Sequence, residues 1–512
     1  MKKQHFLHGA AILGAAGIVS KLLGAIYRIP FARMVGGEGM GIYQMAYPIY
    51  TLALALSTSG LPTALAIMIA EKAARNEHAA AKKIFRVTFI ILAVLGALMS
   101  LAILKLAPFL AVNVFHNPSA FLAIRAVAPA IFLSTVVSCW RGYFQGYQNM
   151  VPTAVSQVSE QIIRVITVLV LAFYLMPYGV AHAAAGAAFG AVTGGITAVV
   201  VLGCFAAFSS FSGGNTKELP PSTKIIKQLF QLGVPVSLAG LIMPIVQGID
   251  AVIIPGQLLV AGYSTTEAAD LYGQLTGMAM TLVNLPVMFT VALGAGIVPA
   301  VSESVALKNL TNARVTISQA FTAMFVISLP SAIGLYILAE PICKLLYNIP
   351  QAGLILKATA PIVIAIGLYQ VTASILQGMG KMMTTMINLG LGCLFKIIFT
   401  YLLVASPLMG ISGAAYSTAG GFLIAGMLNL IFLAQELGGE IFNFPIIRIL
   451  VGNVVLACVC NIVFTYLSGG GAFVIVAGVI LAACVSYFAI ITIFGIIELK
   501  EIEKLVRRMW RK

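Results

Sequence analysis

The side chains most able to do chemistry in this sequence are six ionisable groups set in apolar surroundings: Lys21, Arg28, Arg33, Glu160, Arg164 and Asp250. A charge at the centre of a membrane helix costs about 2.5–3.5 kcal/mol on insertion scales, so such groups usually face a cavity and a partner. Lys21 and Arg28 lie two helical turns apart, which places them on nearly the same face of an unbroken helix. Arg33 lies beyond Pro30, where that register is interrupted. Arginine forks match phosphate oxygens, so this cationic stretch suits an anionic headgroup such as a pyrophosphate and suits cationic drugs poorly. The competing reading is that Arg28 and Arg33 snorkel to the interface, for which Lys21 lies too deep.

Glu160 and Arg164 form an i,i+4 pair of the favourable polarity, either a structural salt bridge or a cavity-lining pair. Asp250, close to Gln247, is the only aspartate in an expected span. It either neutralises a lysine or arginine or binds a coupling cation. No G-x-x-x-x-G-K-[ST] run is present to bind ATP, and no loop is long enough for a catalytic domain. The seven cysteines fall inside apolar segments and the five histidines are scattered, without metal-ligand spacing. We therefore expect no enzyme activity, no metal site and no cofactor. The energy would come from Na+ or H+ coupling or from the membrane potential, which is worth about 2.3 kcal/mol per charge per 100 mV.

The elements that must hold these charges follow from composition. The chain is 60% hydrophobic and 9% charged, whereas a soluble domain carries about 25% charged residues. Apolar runs near the length needed to cross about 30 Å of hydrocarbon recur along the chain. Backbone groups in lipid must bond internally, so these runs are predicted helices. The spacing predicts about fourteen, at 7–27, 42–70, 84–111, 120–140, 151–176, 183–209, 226–254, 272–300, 317–345, 354–377, 383–405, 412–436, 445–467 and 472–497. With both termini in the cytoplasm, most of the 30 lysines and arginines fall on the cytoplasmic side, as the positive-inside rule requires. The net charge of +15 is thus largely topology. A nucleic-acid partner is not expected, because no clustered basic face on a soluble module exists. The basic tail 499–512 suits anionic membrane lipids.

The chain also repeats itself. Pro118, Pro129, Gln145, Gly146, Met150, Thr153 and Arg164 recur 232 residues later as Pro350, Pro361, Gln377, Gly378, Met382, Thr385 and Lys396. Each copy holds six predicted helices, an even number that gives both copies the same orientation. In transporters of this parallel type the substrate path lies between the halves. The expected organisation is an N-terminal lobe 1–209, a cytoplasmic linker 210–224, a C-terminal lobe 225–436, two further helices in 437–498 and the tail. Gly186, Gly190 and Gly194, echoed by Gly413, Ser417 and Gly421, form small-residue ridges explained by helix packing. Pro48, Pro62, Pro286 and Pro299 permit bending.

The segments SKLLGAIYRIPFARMVGGEGMGIYQMAYP (Ser20–Pro48) and RGYFQGYQNMVPTAVSQVSEQIIRV (Arg141–Val165) resemble the SpoVB-like polysaccharide and lipid-precursor flippases of the MOP exporter superfamily. With the duplicated halves, the resemblance covers nearly the whole chain. It implies a V-shaped, alternating-access protein that turns undecaprenyl-pyrophosphate-linked sugars across a bacterial cytoplasmic membrane, with cell-wall synthesis enzymes as partners. Lys21 matches the first of the basic residues that line a central cationic cavity in MurJ-like relatives. Arg28 agrees with the SpoVB-type pattern but departs by one residue from the MurJ spacing, and Asp250 resembles a helix-7 acid used for sodium. The rival readings are a MATE-type cation-coupled multidrug exporter and a membrane scaffold for wall synthesis.

Overall fold

The structure, a computed structural model, describes residues 2–58, 60–208, 219–437 and 445–495. Most of the expected linker (210–218) and the whole basic tail lie outside these residues. Two compact units divide the chain, Met1–Gly273 and Gln274–Lys512. Every regular element among the described residues is helical. Among the described residues thirteen spans are long and apolar enough to cross a membrane, and the apolar stretch Ile12–Ile26 lies in the helix where the first was expected.

The first unit contains α1 (Lys2–Ile26), α2 (Arg28–Thr58), α3 (Leu61–Ala74), α4 (His78–Phe109), α5 (Ala120–Gly146), α6 (Val151–Leu175), α7 (Val180–Phe208), α8 (Ser222–Val260) and α9 (Thr265–Gly273). The outward loop expected near 28–41 is instead helical: α2 begins at Arg28 and runs through this stretch. It kinks at Gly36, whose φ of 67° favours a residue without Cβ. Gly60 (φ 76°) makes a second break, just before Pro62 in the first turn of α3. α8, which the repeat assigns to the second lobe, packs against α2, α3 and α4 in this unit.

α4 illustrates how such a helix sits in a membrane. Its buried face carries Ile84, Thr88, Leu92, Gly96 and Ser100, while Ile90, Val94, Leu98 and Leu101 are exposed. Small and polar residues thus share the helix contacts with Ile84 and Leu92, with Gly96 pressed against Thr135, while the exposed face from Ile90 to Leu101 is apolar and suits lipid.

The second unit contains α10 (Met280–Ala306), α11 (Leu310–Ile337), α12 (Ala339–Tyr347), α13 (Ala352–Thr359), α14 (Ile362–Gly378), α15 (Met382–Val404), α16 (Gly410–Leu437), α17 (Ile446–Leu467) and α18 (Ala472–Ile493). Expected spans 9 and 10 are each divided, by Leu338 and by Pro361. α17 and α18, the pair outside the duplication, pack on each other and on α11 and α12.

The duplicated ridges pack alike. On α7, a Cβ at Gly186 would meet Leu171 and Leu175, and one at Gly194 would stand 2.8 Å from the Glu160 carbonyl oxygen of α6. On α16, a Cβ at Gly413 would meet Leu403, and one at Gly421 would stand 2.7 Å from the Gly392 carbonyl oxygen of α15. Close helix approach through glycine is thus common to both copies.

Candidate functional site: an arginine cluster beside a tyrosine ladder

α6 rests on α7 through that ridge, and this contact turns the polar side of α6 toward α5 and α2. Glu160 sits where three elements converge. Its Oε1 accepts a hydrogen bond from Arg164 at 2.7 Å, and its Oε2 accepts one from Arg141 of α5 at 2.9 Å. Arg141 Nε also donates to Ser156 Oγ at 3.1 Å. One carboxylate therefore bridges two guanidinium groups. The side chains of Arg141, Glu160 and Arg164 are 22%, 16% and 15% exposed, so the group is neither sealed nor freely hydrated.

α2 supplies the neighbouring wall. Tyr43, Tyr47 and Tyr50 follow one another at helical spacing with ring centroids 6.5 and 6.0 Å apart. Tyr27 and Tyr43 share a hydroxyl–hydroxyl hydrogen bond of 3.0 Å, and Tyr50 bonds Ser134 at 2.7 Å. Arg28, half-buried at the start of α2, lies within electrostatic reach of Tyr27, Tyr43 and Tyr47. Arg164 lies within reach of Tyr43, Tyr47 and Tyr50. The ladder thus connects Arg28 with the Glu160 cluster, where two guanidinium groups share one carboxylate. Phenol hydroxyls both donate and accept, so the ladder adds donors for an anion without adding charge.

The other expected site residues lie elsewhere. Lys21 on α1 and Arg33 on α2 are exposed, unlike half-buried Arg28, so the presumed common face of Lys21 and Arg28 does not give them a common environment. The helix is irregular at Tyr27, between them. Asp250 of α8 has Tyr272 of α9 as a neighbour. Arg141 joins this candidate site without having been expected there. The expected span 120–140 stops one residue short of it, but α5 continues to Gly146. The signal available was its place in the same motif as Glu160 and Arg164.

The second unit holds a different kind of opening. A groove of about 700 Å³ between α10, α11, α12, α17 and α18 is lined almost wholly by apolar side chains, among them Leu282, Leu338, Leu456 and Ile480.

Comparison with known proteins agrees with this architecture. The model of the family "Polysaccharide biosynthesis protein" matches residues 6–305, and the MatE model matches residues 275–402. The chain is 30% identical to stage V sporulation protein B of Bacillus subtilis (strain 168), over 99% of this chain and 98% of that protein. It is 27% identical to lipid II flippase MurJ of the same organism, over 84% and 83% of the two chains. Its fold superposes on a solved lipid II flippase MurJ, inward closed, with a TM-score of 0.70 at 16% identity, covering 94% of this chain and 98% of that one. An inward-facing multidrug resistance MATE family transporter of the MOP superfamily gives 0.68 at 15% identity, covering 82% and 95%. The chain belongs to the polysaccharide biosynthesis protein family, and it is a multi-pass membrane transporter with the fold of the MOP superfamily.

Proposed function

We propose that this transporter flips an undecaprenyl-pyrophosphate-linked cell-wall precursor, lipid II or a related lipid-linked saccharide, across the bacterial cytoplasmic membrane by alternating access, with both termini in the cytoplasm. The observation that carries this reading is the half-buried pair of guanidinium groups, Arg141 and Arg164, that share the single carboxylate of Glu160 beside the tyrosine ladder. Planar guanidinium forks are suited to diphosphate oxygens, and their charge is stronger in a partly desolvated site than in water. The apolar groove of the second unit supports the same reading, because a polyisoprenoid chain needs an apolar wall. Lys21 and Arg33, being exposed, suit attraction of the anionic cargo from solution or from the membrane surface.

The test is complementation of a strain depleted of its own lipid II flippase. The wild-type chain restores growth and outer-leaflet exposure of lipid II, while Lys21→Ala and Arg28→Ala, inserted to the same level, do not. Normal growth with both variants would overturn the charge role. The MatE match over 275–402 favours one rival, a cation-coupled drug exporter. That rival requires a resistance phenotype that disappears in Asp250→Asn.

A further inference from the structure

The repeat separates what packing needs from what charge needs. Arg141, Ser156, Glu160 and Arg164 of the first unit correspond, 232 residues on, to Ala373, Asn388, Gly392 and Lys396. The helix pairs carrying them meet through equivalent glycines: Gly194 lies over Glu160 and Arg164, and Gly421 over Gly392 and Lys396. Gly392 fills its position with no side chain, so the helix contact itself places no demand for a carboxylate at 160. In the second unit the neighbouring polar group is neutral, with Asn388 Nδ2 donating to Asn429 Oδ1 at 2.9 Å. The carboxylate and the second arginine are therefore additions to the first unit that its fold does not require.

The geometry of the addition resembles a bound oxyanion. Glu160 gives one oxygen to each of Arg141 and Arg164, which is how two guanidinium groups would share a phosphate. Arg164 Nε is buried without a hydrogen-bond partner, so the carboxylate leaves a donor beside it unused. A phosphate or diphosphate, with more acceptor oxygens than a carboxylate, can take that donor. An empty site with no counter-anion would leave two arginines facing each other in partly desolvated surroundings, which is costly.

We propose that Glu160 is an internal counter-anion: its carboxylate holds Arg141 and Arg164 when the transporter is empty, and a phosphate or diphosphate group binds by displacing it. Re-pairing of Glu160 then helps expel the anion, so affinity is held below its maximum and release is faster. No bond is made or broken in this exchange. The identity of the ligand as a diphosphate rests on the flippase reading; the exchange applies to any phosphate ester that reaches the site.

The full-length protein, purified and reconstituted, is titrated with inorganic pyrophosphate at fixed ionic strength, and flipping of a fluorescent lipid-linked diphosphate saccharide is measured in parallel. Glu160→Gln is expected to bind pyrophosphate about tenfold more tightly than wild type, a difference of about 1.4 kcal/mol, and to flip more slowly at saturating substrate. Glu160→Asp, whose shorter carboxylate cannot span both arginines equally, is expected to fall between them. Adding Arg141→Ala or Arg164→Ala to Glu160→Gln abolishes the gain. Unchanged or weaker pyrophosphate binding by a folded, monodisperse Glu160→Gln overturns the proposal, as does a gain that survives removal of both arginines. Should Glu160→Gln fail to fold, unchanged or weaker binding by Glu160→Asp overturns it equally. Exchange as expected without flipping of any lipid-linked saccharide would instead overturn the cargo assignment and leave the exchange standing.

Discussion

The α6–α7 pair of the first unit and the α15–α16 pair of the second are the same helix contact used for two purposes. Both close on a ridge of small residues, Gly186, Gly190 and Gly194 in one, Gly413, Ser417 and Gly421 in the other. Beside the first ridge lies a charged bridge, Arg141–Glu160–Arg164. Beside the second lies an amide and hydroxyl chain, in which Asn429 accepts from Asn388 and donates to Thr372 at 3.2 Å. Duplication preserved the packing, whose tolerance is a fraction of an ångström, and let the polar groups diverge. Neutral hydrogen bonds suffice to fix helices against each other. In the first unit two guanidinium groups share one carboxylate instead, which is more than fixing needs.

The sharpest way to break this comparison is to remove the equivalent cations. Arg164→Met leaves Glu160 with one partner and should abolish flipping, with a loss of stability toward the roughly 3–5 kcal/mol typical of a broken buried pair, reduced by the remaining exposure of the cluster. Lys396→Met should lower the unfolding midpoint in detergent while retaining flipping. Equal loss of transport in both would show that the units share the anion role.

Gly194→Val and Gly421→Val test what the units have in common. Each places atoms against a carbonyl of the facing helix, so each should cost about 1–3 kcal/mol, read as matched drops in thermal midpoint. A large drop in one alone would contradict the shared ridge. Asn429→Leu removes the centre of the neutral chain and should cost about 0.6–1.7 kcal/mol, the range for interhelical hydrogen bonds in membranes, with pyrophosphate binding unchanged. The smallest effect belongs to Arg75→Ala. Its 3.1 Å pair with Glu71 is exposed, so stability should change by about 0.3–0.5 kcal/mol and transport not at all.

Much of the fold was legible because lipid leaves the backbone few choices. Apolar runs had to be helices, and the recurrence of Gln145, Gly146 and Arg164 as Gln377, Gly378 and Lys396 exposed the duplication. The Glu160–Arg164 pair was legible for a local reason: residues four apart share a helix face. Breaks inside spans were harder to read. Hydropathy shows that 317–345 is apolar but not that the helix is interrupted at Leu338, since leucine carries no turn signal. Likewise 28–41 carries enough charge and glycine to read as a loop, yet it folds as helix. Its glycines pack directly on α9, with Gly41 against Ala269 and Gly37 against Asp270.

The sequence by itself determined the helical class, the apolar stretches and the excess of basic residues, because each depends on local hydropathy or on simple counting along the chain. Only the tertiary structure decided which charges act together. Arg141 lies 19 residues from Glu160 and bonds it because α5 and α6 bring them together. Lys21 and Arg28, seven residues apart, have different surroundings because the helix is irregular between them. Short-range electrostatics depends on distance in space, and in a helical bundle that distance is set by which faces pack rather than by separation in sequence.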